Sequence, residues 1–141
     1  MRVAVLMPAL NEEEALPPIL EAMPDRVALV VVADNGSTDR TAEVARRGGA
    51  HVVHETERGY GAACLAGIRY LAQLDDPPDI LVFLDADGSD DPADLARVIE
   101  PIERDDADLV LGIRRGAHGD VGTILPHARL GLSLIHISEP T

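Results

Sequence analysis

Ile80-Leu81-Val82-Phe83-Leu84-Asp85-Ala86-Asp87-Gly88-Ser89 runs five apolar residues into an Asp-x-Asp pair and a glycine. An unbroken apolar run of this length, bounded by Pro78 and Gly88, reads as a strand buried on both faces. Residues two apart on an extended chain point the same way, so Asp85 and Asp87 can aim both carboxylates at one point. In open α/β sheets, ligands bind just beyond the carboxyl ends of the strands. Two carboxylates there repel one another unless a cation lies between them. Hard oxygen ligands favour Mg²⁺ or Mn²⁺, which keep waters and engage substrate phosphates. The plainer reading is a solvated acidic loop, or carboxylates that cap the next helix.

Outward from that stretch, apolar strands alternate with helical segments. Val3–Met7 is a strand ended by Pro8, and Asn11 caps a helix from about Glu12 to Ala22. Val27–Ala33 is a second strand ending at Asp34. Asn35-Gly36 turns the chain, and Ser37 or Thr38 caps a helix to Arg47 that Gly48-Gly49 stops. His51–His54 is a third strand. Gly59-Tyr60-Gly61 opens a helix to about Leu74, with Leu65, Ile68, Leu71 and Ala72 on one face. Asp79–Leu84 is the fourth strand, Pro92–Arg104 a helix and Asp108–Gly112 a fifth strand. Short connections between alternating elements predict βαβ units and a mostly parallel sheet.

The 141 residues make one domain at most, and 46% hydrophobic content supports a core that must be aliphatic. A net charge of −13 argues against nucleic acid as a direct partner. It leaves room for a nucleotide held through a metal ion. All 12 basic residues are Arg, so no mechanism can use a lysine. Cys64 is the only cysteine, which rules out an internal disulfide and fits a reducing, cytoplasmic compartment. Its neighbours Ala62, Ala63, Leu65 and Ala66 suggest a buried small hydrophobe. No apolar run approaches the roughly 20 residues that span a bilayer.

Four segments sit at strand ends where a ligand should bind. Pro8-Ala9-Leu10-Asn11-Glu12-Glu13 supplies a backbone turn and Glu12, which can line a base and ribose. Asp34, at the second strand tip, is free to accept hydrogen bonds from a base or ribose. Asp39 serves the next helix N-terminus. Arg58-Gly59-Tyr60-Gly61 allows close backbone approach of an anion, though it lacks the spacing of a dinucleotide or P-loop fingerprint. The fourth is Asp85/Asp87, with Asp90 or Asp91 as the cap of the following helix.

The ordered set PALNEEEAL, VVVADNGSTDRTAE, RGYGAACLAGI, VFLDADGSDDP and ADLVLGIRRG resembles the family 2 glycosyltransferases. It is most similar to the branch of dolichyl- and undecaprenyl-phosphate sugar synthases. The resemblance spans residues 2–115. It implies the GT-A fold, a Rossmann-like three-layer α/β sandwich with a mostly parallel sheet. It implies metal-dependent, inverting sugar transfer from a UDP- or GDP-linked donor to an acceptor, plausibly a polyprenyl phosphate at the cytoplasmic membrane surface. Asp85 and Asp87 become ligands of Mg²⁺ or Mn²⁺ and the diphosphate, flanking Ala86. Pro8, Leu10, Asn11, Glu12, Asp34 and Gly61 map to the nucleotide-sugar pocket. Arg114 maps to an arginine that meets phosphate.

The chain departs from the family pattern in three places. Asp34-Asn35 stands where many relatives have two aspartates. Ser89 stands where polyprenyl-phosphate mannose synthases often have Gln. Gly59-Tyr60-Gly61 replaces a common Gly-Lys-Gly. Residues 132–141 break the style of the chain and are expected to be a non-native tail. Residues 1–131 are then the donor half of a longer domain, with the catalytic base beyond them. The competing readings are a nucleotide-sugar-binding fragment without turnover, and a haloacid-dehalogenase-like phosphatase. The phosphatase would need a lysine that this chain lacks.

Overall fold

Four parallel strands, β1 (Val3–Ala9), β2 (Val27–Asp34), β3 (His51–His54) and β4 (Ile80–Phe83), form one sheet in the order β3-β2-β1-β4. They alternate with helices α1 (Leu16–Glu21), α2 (Thr41–Arg47), α3 (Tyr60–Ala72) and α4 (Leu95–Glu103). The computed structural model describes residues 1–113. Arg114 and the 132–141 tail lie outside the described residues.

The sheet divides the core in two, because alternate residues face opposite ways. Val3, Val5 and Met7 of β1 pack with Leu16, Ile19, Ala45, Leu95 and Ile99, from α1, α2 and α4. Ala4 and Leu6 pack with Leu29, Val31, Ala33, Ala63 and Leu71, so among the described residues α3 is the helix that covers the other face. This is the expected three-layer α/β sandwich.

Alternation also explains how β1 runs through Pro8, two residues past the predicted stop. Leu6 accepts from Leu84 N at 3.1 Å on the β4 side, and Ala9 accepts from Asn35 N at 2.9 Å on the β2 side. Pro8 therefore turns its missing N–H toward β4, whose ladder has already ended at Leu6↔Phe83.

Several expectations are corrected. The first helix starts at Leu16, not Glu12, with Pro17 in its first turn, and Asn11 does not cap it. Neither Ser37 nor Thr38 caps α2, which begins at Thr41. The inward face of α3 is Ala63, Ala66, Gly67 and Leu71, while Leu65 and Ile68 face out. Small residues let α3 lie close on β1. A Cβ on Gly67 would sit 2.2 Å from Leu6 Cδ1. The fourth strand is shorter than predicted. It is not buried on both faces: Phe83 is 47% exposed. It forms one edge of the described sheet, and α3 on that face packs over β1 and β2 instead. Asp108–Gly112 is not a strand, and Leu109 and Leu111 stand exposed because no described strand pairs with them. Cys64 is half-buried rather than buried, and burial pushes its thiol pKa up, which suits an inert side chain.

Candidate functional site

The strand order makes a switch point. β1, β2 and β3 succeed one another in one direction, and β4 returns to the opposite side of β1. The crevice beyond the carboxyl ends of β1 and β4 is where such sheets bind ligands. The 8–13 loop and the Asp-x-Asp segment both leave the sheet there.

Beyond Phe83 the chain is no longer strand, and Ala86-Asp87 forms a turn. The carboxylates are thus set by a turn rather than by extended-strand alternation. Ala86 is buried, Asp85 half-buried and Asp87 exposed, so the methyl faces in while the flanking acids face the crevice. Gly88 adopts φ +81°, a conformation that side chains rarely take. This swings Ser89 back: its N donates to Asp87 Oδ1 at 2.9 Å and its Oγ at 2.5 Å. Ser89 therefore orients Asp87. Asp90 Oδ2 accepts from Asp85 N at 3.1 Å, and Asp91 Oδ1 caps the 92–94 turn through Ala93 N at 2.9 Å. Of the two predicted caps, Asp91 is the one that serves.

Glu12 closes the site from β1. Burial, then the charge of Asp87, then that of Asp39, raise its carboxyl above the ordinary range. Tyr60, at the start of α3, closes it from the other face. Its phenol meets the Cys64 thiol and feels Asp85 and Asp90. Burial first, and those neighbours after it, push it up to about 12. A Cβ on Gly61 would meet nothing within 4 Å, so that approach is open. Among the described residues no three His, Cys, Asp or Glu side chains form a ready cage. Two hard carboxylates, one of them oriented by a hydroxyl, suit a cation that takes its remaining ligands from water and phosphate. A concavity of about 300 Å³ lined by Leu20, Val27, Gly48 and His51 lies at the amino ends of β2 and β3, away from the carboxyl-end strand tips.

The β1 and β2 tips are laced together. Asn11, at φ 54°, accepts from Thr38 N through Oδ1 at 2.8 Å, and its own N donates to Ser37 Oγ at 2.9 Å. Glu12 N donates to Thr41 Oγ1 at 2.9 Å and Glu13 N to Asp39 Oδ2 at 3.3 Å. Asp39 Oδ1 also accepts from Thr41 N at 2.9 Å, so it serves the start of α2 as expected. Asp34 is not free, as the sequence suggested. It is 5% exposed; its Oδ1 accepts from Ser37 N at 3.0 Å and its Oδ2 lies 3.3 Å from His54 Nδ1. Leu10 is exposed and Pro8 half-buried on the same rim.

Asn35, read only as a turn residue, is a clamp. Its Nδ2 donates to the carbonyls of Glu55 at 3.1 Å and Glu57 at 2.7 Å, and its Oδ1 accepts from Gly59 N at 2.9 Å. Those bonds hold the β3–α3 loop, and with it Tyr60 and Gly61, against the β2 tip. An aspartate could not make both donations. That was the only signal in the sequence.

A model described as glycosyl transferase family 2 matches residues 4–139. An uncharacterized glycosyltransferase of Mycobacterium tuberculosis is 44% identical over 135 residues, covering 91% of this chain and 59% of that protein. The undecaprenyl-phosphate mannosyltransferase of Micrococcus luteus is 36% identical over 159 residues, covering 98% of this chain and 64% of its own length. This chain thus spans about three fifths of those relatives. Among solved structures, the M. tuberculosis glucosyl-3-phosphoglycerate synthase with Mg²⁺ and UDP matches with a TM-score of 0.61 and 28% identity. That match covers 72% of this chain and 39% of the synthase.

Proposed function

The chain belongs to glycosyl transferase family 2, and from that premise we propose that it carries the donor site of a metal-dependent, inverting sugar transferase. The donor is a UDP- or GDP-linked sugar and the acceptor a polyprenyl phosphate. One observation carries this reading. Asp85 and Asp87 face the β1/β4 switch point opposite Glu12, whose carboxyl is pushed up partly by Asp87. That crowding of negative charge suits a divalent cation and a diphosphate. The Mg²⁺ and UDP in the synthase structure support the ligand class. The mannosyltransferase relative supports the acceptor class.

A divalent cation held there supplies charge neutralisation for the departing nucleoside diphosphate. The chain's residues do the rest. Asp85 and Asp87 hold the cation, with Ser89 fixing Asp87. Asp34 and the 8–12 loop receive the nucleoside, and the open face at Gly61 receives phosphate. A lipid phosphate is already anionic and needs little base assistance to attack from the opposite face. The acceptor then lies at the cytoplasmic face of a membrane. Among the described residues no helix is long and apolar enough to cross one.

Calorimetry of UDP and GDP with Mg²⁺, Mn²⁺ or EDTA tests the reading. One diphosphate should bind only with metal, and Asp87→Ala should abolish that dependence. Equal binding in EDTA overturns it. A chain that binds UDP-sugar with metal yet releases no UDP acts as a donor-binding unit without turnover.

A further inference from the structure

Behind Asp34, His54 and Arg46 extend a chain of polar contacts that the donor-site reading does not use. We propose that His54 and Arg46 are positioning residues for Asp34, and that a relay from Arg46 through His54 sets the carboxylate that meets the nucleoside. The inference rests on the donor site proposed above and adds how its β2 wall is held.

The geometry starts from strand register. Asp34 and His54 are paired at the ends of β2 and β3, so their side chains leave the sheet on the same face. Asp34 is 5% exposed, and a carboxylate that deep must have its oxygens satisfied. Ser37 N serves Oδ1. The group facing Oδ2 is His54 Nδ1, at 3.3 Å. On the far side of the ring, His54 Nε2 lies 3.1 Å from Arg46 Nη2.

Arginine can only donate, so Nε2 must be the accepting, unprotonated nitrogen. In that neutral ring Nδ1 carries the hydrogen and donates to Asp34. Arg46 thus selects the tautomer, and the tautomer aims the carboxylate. Each Asp34 oxygen keeps a further lone pair for an N–H on a base edge or a ribose hydroxyl. Without His54, Oδ2 can rotate toward any other donor and the ligand must reorder it.

Two isosteres separate positioning from packing. His54→Asn places an amide N–H where Nδ1 stood. His54→Gln places its amide near Nε2 and leaves Oδ2 without a donor. Calorimetry of the Mg²⁺ complex of whichever diphosphate the parent binds should show His54→Gln and His54→Ala weakened about tenfold, one hydrogen bond to a charged group. His54→Asn should stay within about twofold. All three should keep the parent's metal dependence, since Asp85 and Asp87 are intact. Long-range ¹⁵N NMR of the parent should show a protonated Nδ1 and an unprotonated Nε2, and Arg46→Met should shift hydrogen toward Nε2. Equal affinity across the three His54 variants overturns the proposal, as does a parent imidazole carrying its hydrogen on Nε2. Metal-independent binding by the parent would instead sink the donor-site reading, while the NMR still decides the relay.

Discussion

Gly67→Ala tests the close approach of α3 to β1. In an exposed helix interior this change stabilises by about 1 kcal/mol, because alanine loses less backbone entropy. Here the new methyl would lie 2.2 Å from Leu6 Cδ1, 2.8 Å from Cδ2 and 3.0 Å from Cγ. Carbon contacts are favourable at about 3.5–4.0 Å, so something must move by more than about 1 Å. Leu6 is fully buried on an inner strand among Ala4, Ala33, Ala63 and Leu71, and has no open side. Lifting α3 instead would loosen its contacts along both β1 and β2. Overpacking of this kind costs about 1–3 kcal/mol. An overlap this deep belongs at the upper end, so a net loss of about 2 kcal/mol is expected after the propensity gain. Urea denaturation should show a lower midpoint with an unchanged slope. Combining the change with Leu6→Ala should be milder than the sum of the two, with coupling of about 1–3 kcal/mol, because the methyl then fills vacated space. A Gly67→Ala protein as stable as its parent would refute the close-approach argument.

Glu12→Gln should stabilise the metal-free protein at neutral pH. The folded carboxyl has a raised pKa, so its ionisation costs the folded state; that cost is absent below the ordinary value of 4.5 and complete above the raised one. Stability curves of parent and variant should therefore converge in acid, and parallel curves would count against the assignment. Asn35→Ala removes three hydrogen bonds at the β2 tip and should cost about 1–3 kcal/mol in chemical denaturation. It should also free the 55–59 loop to faster amide exchange, and unchanged protection there would contradict the clamp. In an alkaline absorbance titration, one of the two tyrosines should ionise only near pH 12. Tyr60→Phe should remove that step and Asp85→Asn should lower it; a step unmoved by Asp85→Asn would dissociate the phenol from the acid pair.

The strands were legible because their signal is local. Val3–Ala9, Val27–Asp34 and Ile80–Phe83 are apolar runs sandwiched or half-sandwiched by helices, and burial alone demands that composition. The helix starts were not legible, and the reason lies in the candidate site itself. A capping rule assumes that a polar side chain serves the backbone two or three residues on. Asn11 and Ser37 instead bond across the two tips: Ser37 Oγ accepts from Asn11 N, 26 residues away, and Asn11 Oδ1 from Thr38 N, 27 residues away. Asp39 divides itself between the start of α2 and Glu13 N, 26 residues distant. Asn11 and Ser37, which mark the β1 and β2 tips as a binding region, therefore look like caps in the sequence although they are committed to each other's loop. That commitment bears on function. A nucleoside entering between Asp34 and Glu12 meets loops already ordered by these bonds, and little conformational entropy remains to be lost there on binding. The Asp85–Ser89 segment shows the contrast. The bonds from Asp85 N to Asp90 and from Ser89 to Asp87 join residues no more than five apart, and Asp87 faces like charge from Glu12. Preorganisation on the nucleoside side and charge repulsion on the diphosphate side together make metal the component whose addition should change affinity most.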